Sequence, residues 1–154
     1  MFKKCLVLLV ACLWLAGCGG SPTSPSTATL QSAATSVTFA GKTLTVTSYP
    51  YRDFMPSTGP DTSLRVILTI RTGDGSTVPS GVTVDAVWAL NGSTSFSAWT
   101  LSPQSGFEQN YVVNATKGPT WDVGMSVTAV IRLKDASGNT VLLRAPSQPI
   151  ASTF

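Results

Sequence analysis

From Val37 to Ile150 the chain alternates apolar and polar residues with period two, and no stretch carries a helical stripe. "SLRVILTIR" sets Leu64, Val66, Leu68 and Ile70 against Arg65, Ile67, Thr69 and Arg71. "VTVDAVWAL" sets Val82, Val84, Ala86, Trp88 and Leu90 against Thr83, Asp85, Val87 and Ala89. "SVTAVIRLK" places Val127, Ala129, Ile131 and Leu133 on one face. "SVTFA" with "KTLTVTSY" forms a first strand region interrupted near Gly41, and "SFSAWTL", "GFEQNYVVN" and "TVLLRA" complete the set. Gly73-Asp74-Gly75, Asn91-Gly92 and Ser137-Gly138-Asn139 supply turns that tolerate positive φ. About seven short strands with turn signals at short intervals predict an all-β, antiparallel two-sheet sandwich over residues 37–154.

The strand sequence resembles that of an immunoglobulin-like or fibronectin-III-like domain, with Trp88 on the third main strand, where immunoglobulin folds place a core tryptophan. The inter-sheet cysteine pair of that family is absent, and Leu68 and Ile131 stand at the corresponding core positions. The resemblance predicts Trp88 between the sheets, facing Leu68 and Ile131. The same alternation turns Asp85, Val87, Val130, Arg132, Leu142 and Arg144 outward, with Asp85 in reach of Arg132 or Arg144.

The first residues follow a different rule. "MFKKCLVLLVACLWLAGCGG" opens on Lys3 and Lys4, continues with an apolar run from Cys5 to Ala16 and ends in small residues. The run is shorter than the roughly 20 apolar residues that span a bilayer, and its layout is that of an export signal peptide over residues 1–17. Leu15-Ala16-Gly17-Cys18 resembles the lipobox of bacterial lipoproteins. That resemblance implies cleavage before Cys18, a diacylglycerol thioether on its sulfur and a further acyl chain such as palmitate on the new amino terminus. Gly19 after the cysteine resembles the pattern of lipoproteins sent to the outer membrane in enteric bacteria. The localisation it implies is the cell envelope, membrane-anchored, at the outer membrane where the host has one.

Cysteine usage is consistent with this reading. Of the three cysteines, Cys5 and Cys12 fall within the signal, so Cys18 alone would remain, its sulfur already used. Residues 18–36, "CGGSPTSPSTATLQSAATS", carry no charge and little apolar mass, which predicts a flexible linker spanning about 23 Å on average. It joins the first strand at the polar end of the sandwich, so that the opposite end would point away from the membrane.

Composition narrows the chemistry. The net charge is +3, and Lys3 and Lys4 supply two of those charges, so no basic nucleic-acid surface is expected. The chain has no histidine, which removes Ser-His-Asp and Cys-His arrangements and the common zinc sets. No cofactor fingerprint occurs. Carboxylates are few; Asp74 and Asp135 sit in turns, and "KDASGN" reads as a hairpin turn before it reads as a calcium loop. The expectation is a protein that is not an enzyme and holds no metal or cofactor. Its partners would be the membrane, through the lipid, and another envelope protein or a polysaccharide.

One stretch departs from ordinary loop chemistry. "YPYRDFMPSTGP", Tyr49–Pro60, carries aromatic mass and an Arg-Asp pair among prolines, and is read as the connection between the first two strands. "KGPTWDVG" should share its end of the sandwich and bring Trp121 beside it. The candidate partner-binding residues are Tyr49, Tyr51, Arg52, Asp53, Phe54 and Trp121, either as a plug for the open end or as an exposed binding site. Trp99 and Tyr111 join Tyr49, Tyr51 and Trp121 as aromatics that a sugar could stack on.

Replacing Cys18 by Ser should abolish lipoprotein processing and membrane attachment. Fractionation after a salt wash checks this; a Cys18→Ser chain that stays with the membranes contradicts the lipobox reading.

Overall fold

A computed structural model describes residues 24–56, 61–104 and 109–154. The signal segment and Cys18 lie outside the described residues.

Two sheets pack face to face. In the first, β1 (Ser36–Phe39), β2 (Lys42–Asp53), β3 (Leu64–Thr72), β7 (Tyr111–Thr116) and β6 (Thr100–Gln104) are neighbours in that order. In the second, β8 (Ser126–Lys134) and β4 (Thr83–Asn91) form the centre. β5 (Thr94–Phe96) flanks β4, while β9 (Thr140–Arg144) and β10 (Gln148–Pro149) share the far edge of β8. These pairs are antiparallel, and one short parallel pair joins β11 (Ala151–Thr153) to the end of β2. The order β2-β3-β7-β6 against β5-β4-β8-β9 is that of an immunoglobulin-like sandwich. The strands number more than the expected seven because β1 and β2 form a hairpin, β5 is a separate short strand, and the last strand splits and changes sheets. Ala40 (φ 49°) and Gly41 (φ 77°) both occupy the left-handed region, the geometry of a two-residue hairpin turn, and this is the interruption expected near Gly41.

Leu44, Leu64, Leu68, Ile70, Ile131, Leu133, Leu143 and Ile150 are fully buried in the inter-sheet core, so Leu68 and Ile131 stand where the alternation puts them. Trp88 does not. Its strand carries a bulge: Val84 pairs with Leu133 but Ala86 pairs with Arg132, so Asp85 is an extra residue. Past the bulge the faces exchange. Val87 and Ala89 enter the core between the sheets, while Ala86, Trp88 and Leu90 turn to the outer face of the second sheet. The expected outward position of Val87 and the expected inward position of Trp88 are both reversed. Asp85 and Arg132 meet on that outer face in a two-bond pair of 2.7 and 3.0 Å, and the guanidinium also lies over the Trp88 ring at 5.9 Å. The Asp85 carboxylate holds the Arg132 guanidinium above its ordinary pKa.

The outer face is covered by a segment read from the sequence as linker. α1 (Thr27–Gln31) starts at Ser26, whose hydroxyl accepts from the Thr29 amide at 3.1 Å. A single helical turn is not stable alone. It is held by Leu30, fully buried with Ala33 against Trp88, Leu90 and Val130. Arg144 fastens the following residues, donating from its backbone N to Ala34 O (2.8 Å) and from Nε to Ala33 O (3.0 Å). The packed domain therefore begins near Ser26 and not at Val37. No helix among the described residues is long and apolar enough to cross a membrane.

Leu30→Ala should cost about 2–5 kcal/mol, the range of a buried large-to-small change. Urea unfolding checks it, together with a red shift of Trp88 emission as its cover loosens. A midpoint equal to that of the parent chain would mean that residues 27–33 do not seal this face.

Candidate functional site

The stretch Tyr49–Asp53 is strand and not loop. It is the end of β2, with Tyr49 to Arg52 paired with Ile67, Val66, Arg65 and Leu64 of β3 on one side and Tyr51 to Asp53 paired with β11 on the other. The aromatic residues that looked out of place in a turn suit a half-buried pleated surface. Pro50 falls where the outer edge of β2 lies between the ends of β1 and β11, an edge position that tolerates a missing N–H.

Strand alternation divides the expected site in two. Leu44, Val46 and Pro50 point into the core, so Tyr49 and Tyr51 stand on the outer face of the first sheet. Their rings stack at 5.7 Å, and Tyr49 is half exposed. Ile67 lies across from Tyr49, Asn114 across from Ile67, and Arg65 across from Tyr51, which makes a flat, mixed surface.

Asp53 is 5% exposed. Its carboxylate accepts from the Met55 amide (3.0 Å) and the Thr153 hydroxyl (3.2 Å), and Arg65 Nη1 lies 3.9 Å away. A buried charge requires such partners. Asp53 therefore ties β11 to β2, and its carboxylate is not offered to a ligand.

Arg52, Phe54 and Trp121 come together at the end of the sandwich, as the pairing of the two connections predicts. Arg52 donates from Nε and Nη2 to Thr62 O (2.7 Å) and Oγ1 (3.1 Å), and from Nη1 to Trp121 O (3.3 Å). Its guanidinium also lies 5.1 Å from the Phe54 ring centre. Arg52 thus clamps the chain before β3 to the chain before β8. Trp121 packs half-buried against the core and plugs this end. Phe54 does not plug it: it is 36% exposed and stacks at 5.8 Å on Phe154, which is more exposed still. Met55, Val123 and Met125 are exposed beside them. Val123, Met125 and Phe154 are absent from the sequence-based set, because nothing in their local sequence marks them; only the return of the last strand beside β2 brings them to Phe54.

The other aromatics serve packing. Trp99 donates to Phe96 O (3.3 Å) and packs so closely on Gly118 that an added Cβ there would clash with the ring. Tyr111 is half-buried against the core. Of the aromatics first considered for sugar stacking, only Tyr49 and Tyr51 stand on an open face.

The opposite end is polar. Lys42 pairs with Asp74 at 2.8 Å, Asp74 also accepts from the Ser76 hydroxyl at 2.6 Å, and these bonds hold its carboxyl well below the usual range. Asp135 accepts from the Ser137 and Asn139 amides and the Asn139 side chain, each at 2.9 Å, which lowers its pKa too. Both Asp135 oxygens are thereby used by the turn itself. No group of three or more metal-ligating side chains occurs among the described residues.

No family model matches the chain, and no curated protein matches it.

Arg52→Met keeps the apolar stem and removes the clamp. A loss of about 1–3 kcal/mol is expected from hydrogen bonds made by a charged donor, read as a lower denaturant midpoint. An unchanged midpoint would show that the two connections hold without Arg52.

Proposed function

We propose that this chain is a lipid-anchored, exported bacterial envelope protein whose sandwich is a non-enzymatic interaction module. The observation that carries the anchoring is Cys18, placed after a basic start and a short apolar run, with Leu15-Ala16-Gly17 before it. Two or more acyl chains make a durable anchor, where one holds only marginally. The localisation that goes with it is the membrane of the cell envelope, the outer one where the host has two.

The surface that supports an interaction role best is the outer face of the first sheet. Tyr49 and Tyr51 are pre-stacked there on a rigid strand, so they lose little side-chain freedom on binding. Tyr and Arg are enriched among residues that dominate binding energy, and Arg65 adjoins the pair. On this reading partner binding belongs to the sheet face, and Asp53 and Trp121 fall outside the contact set. A second reading has a specific observation behind it: a stacked tyrosine pair, with Tyr49 half exposed and Asn114 two strands away from it, also suits a polysaccharide chain.

The test is capture from detergent-solubilised envelope with the acylated protein, wild type against Tyr49→Ser/Tyr51→Ser. Loss of a specific envelope protein at an unchanged thermal midpoint is expected. Retention of every captured protein would overturn the sheet-face assignment. Retardation of the wild type, but not the variant, in gels containing polysaccharide would favour the second reading.

A further inference from the structure

The end of the sandwich that carries Arg52 is the most apolar exposed region of the described residues. Phe54 (36% exposed), Met55 (39%), Val123 (44%), Met125 (39%) and Phe154 (87%) account for all the exposed large apolar side chains there except Tyr49, which stands on the sheet face. They come from three separate segments, and backbone bonds hold those segments together. Phe54 N donates to Thr153 O (2.9 Å), Gly124 N to Ile150 O (2.8 Å) and Ile150 N to Met125 O (2.9 Å). The side chains are therefore fixed in place on three adjoining segments. Monomeric proteins seldom leave such a grouping uncovered.

The start of the domain is at the same end. Gln31, the last residue of α1, donates from Nε2 to the Gly92 carbonyl at 3.0 Å. Gly92 is in the turn after β4, and Leu90 pairs with Thr128 near the start of β8, directly after Met125. The chain therefore joins the sandwich near its apolar end. The expected entry at the polar end is therefore not what the structure has, and it no longer argues for turning the aromatic end away from the membrane. Only Gly19–Pro25 separate Cys18 from the N-cap Ser26, a span of at most about 29 Å when fully extended. The polar turns lie at the far end of β2, whose twelve residues measure about 40 Å.

We propose that this apolar end rests on the lipid bilayer that holds the Cys18 anchor, with Phe54, Val123, Met125 and Phe154 entering the boundary between headgroups and acyl chains. The inference depends on the lipid-anchor reading. Lipid is favoured as the occupant because a tether this short keeps this end beside the bilayer. The charges around it are mixed: Lys117 is an exposed cation suited to phosphate headgroups, Arg52 has its donors engaged by Thr62 and Trp121, and Asp61 and Asp122 limit the net attraction. Burial of apolar side chains is thus the main contribution. In this orientation the sheets stand upright on the membrane, and the Tyr49–Tyr51 face is presented sideways to partners.

The experiment uses full-length, processed, acylated protein in vesicles of phosphatidylethanolamine and phosphatidylglycerol. An environment-sensitive label is placed at Val123→Cys, at Met125→Cys, and at Ser137→Cys on the polar end. Thermal midpoints equal to wild type confirm that each labelled chain is folded. At positions 123 and 125 we expect blue-shifted emission, strong quenching by nitroxide-bearing lipid and little quenching by iodide, with the reverse at position 137. Iodide quenching alike at all three positions, with none by nitroxide lipid, overturns the proposal. Shielding of positions 123 and 125 in native envelopes but not in pure vesicles also overturns it, and identifies a protein as the occupant. Flotation of the same samples separates the two readings. Protein that fails to float refutes the anchor, whereas floating protein with aqueous labels refutes only the docking.

Discussion

The second sheet buries apolar side chains on both of its faces, and much of the molecule follows from that. Val130 and Leu142 face outward by simple alternation, and one extra residue in β4, Asp85, adds the larger Trp88 and Leu90 to them by moving both from the core side to the outer side. A sheet face bearing Trp88, Leu90 and Val130 cannot be left in water without a large apolar cost. The chain meets the need with residues just ahead of β1. Leu30 and Ala33 lie on Trp88, Arg144 holds their backbone, and Arg132 closes the rim with Asp85 and the indole face.

Covering that face has a geometric consequence. A segment free of the domain could leave Cys18 far from the sandwich, at any angle. Once Leu30 is buried and Gln31 is bonded to Gly92, the packed residues begin near the apolar end, and only the seven residues Gly19–Pro25 lie between Cys18 and Ser26 in the sequence. A packing requirement inside one sheet thereby becomes a constraint on how an anchored domain would stand on its membrane.

The apolar end itself combines two kinds of residue. Arg52 and Trp121 spend their polar and apolar surfaces within the molecule, joining two connections and closing the core. Phe54, Val123, Met125 and Phe154 keep theirs outside. Asp53, adjacent in sequence to both kinds, holds the returning last strand with Thr153 and so fixes where Phe154 lies. The tyrosine pair belongs to a different surface, because β2 sends alternate residues to opposite faces.

Period-two alternation determined the class of fold, the core positions of Leu68 and Ile131, and the gathering of Arg52, Phe54 and Trp121 at one end, since those depend on local pattern and strand order. The run Leu15-Ala16-Gly17-Cys18 and the absence of histidine are equally local, and so bound the proposals about chemistry before any fold is known. Three things were left to the tertiary structure. The bulge at Asp85 depends on pairing with Arg132 and Leu133 from a distant strand, and a single extra residue inverts every side chain after it. The folding of Thr27–Ala33 depends on Trp88 and Leu90 reaching the outer face, which they do only after that inversion, because a five-residue helix with one leucine has no stability of its own. The assignment of Tyr49–Asp53 to strand depends on β3 and β11 arriving on either side. Composition marks such a stretch as unusual for a loop, but only a neighbouring backbone can make it a strand.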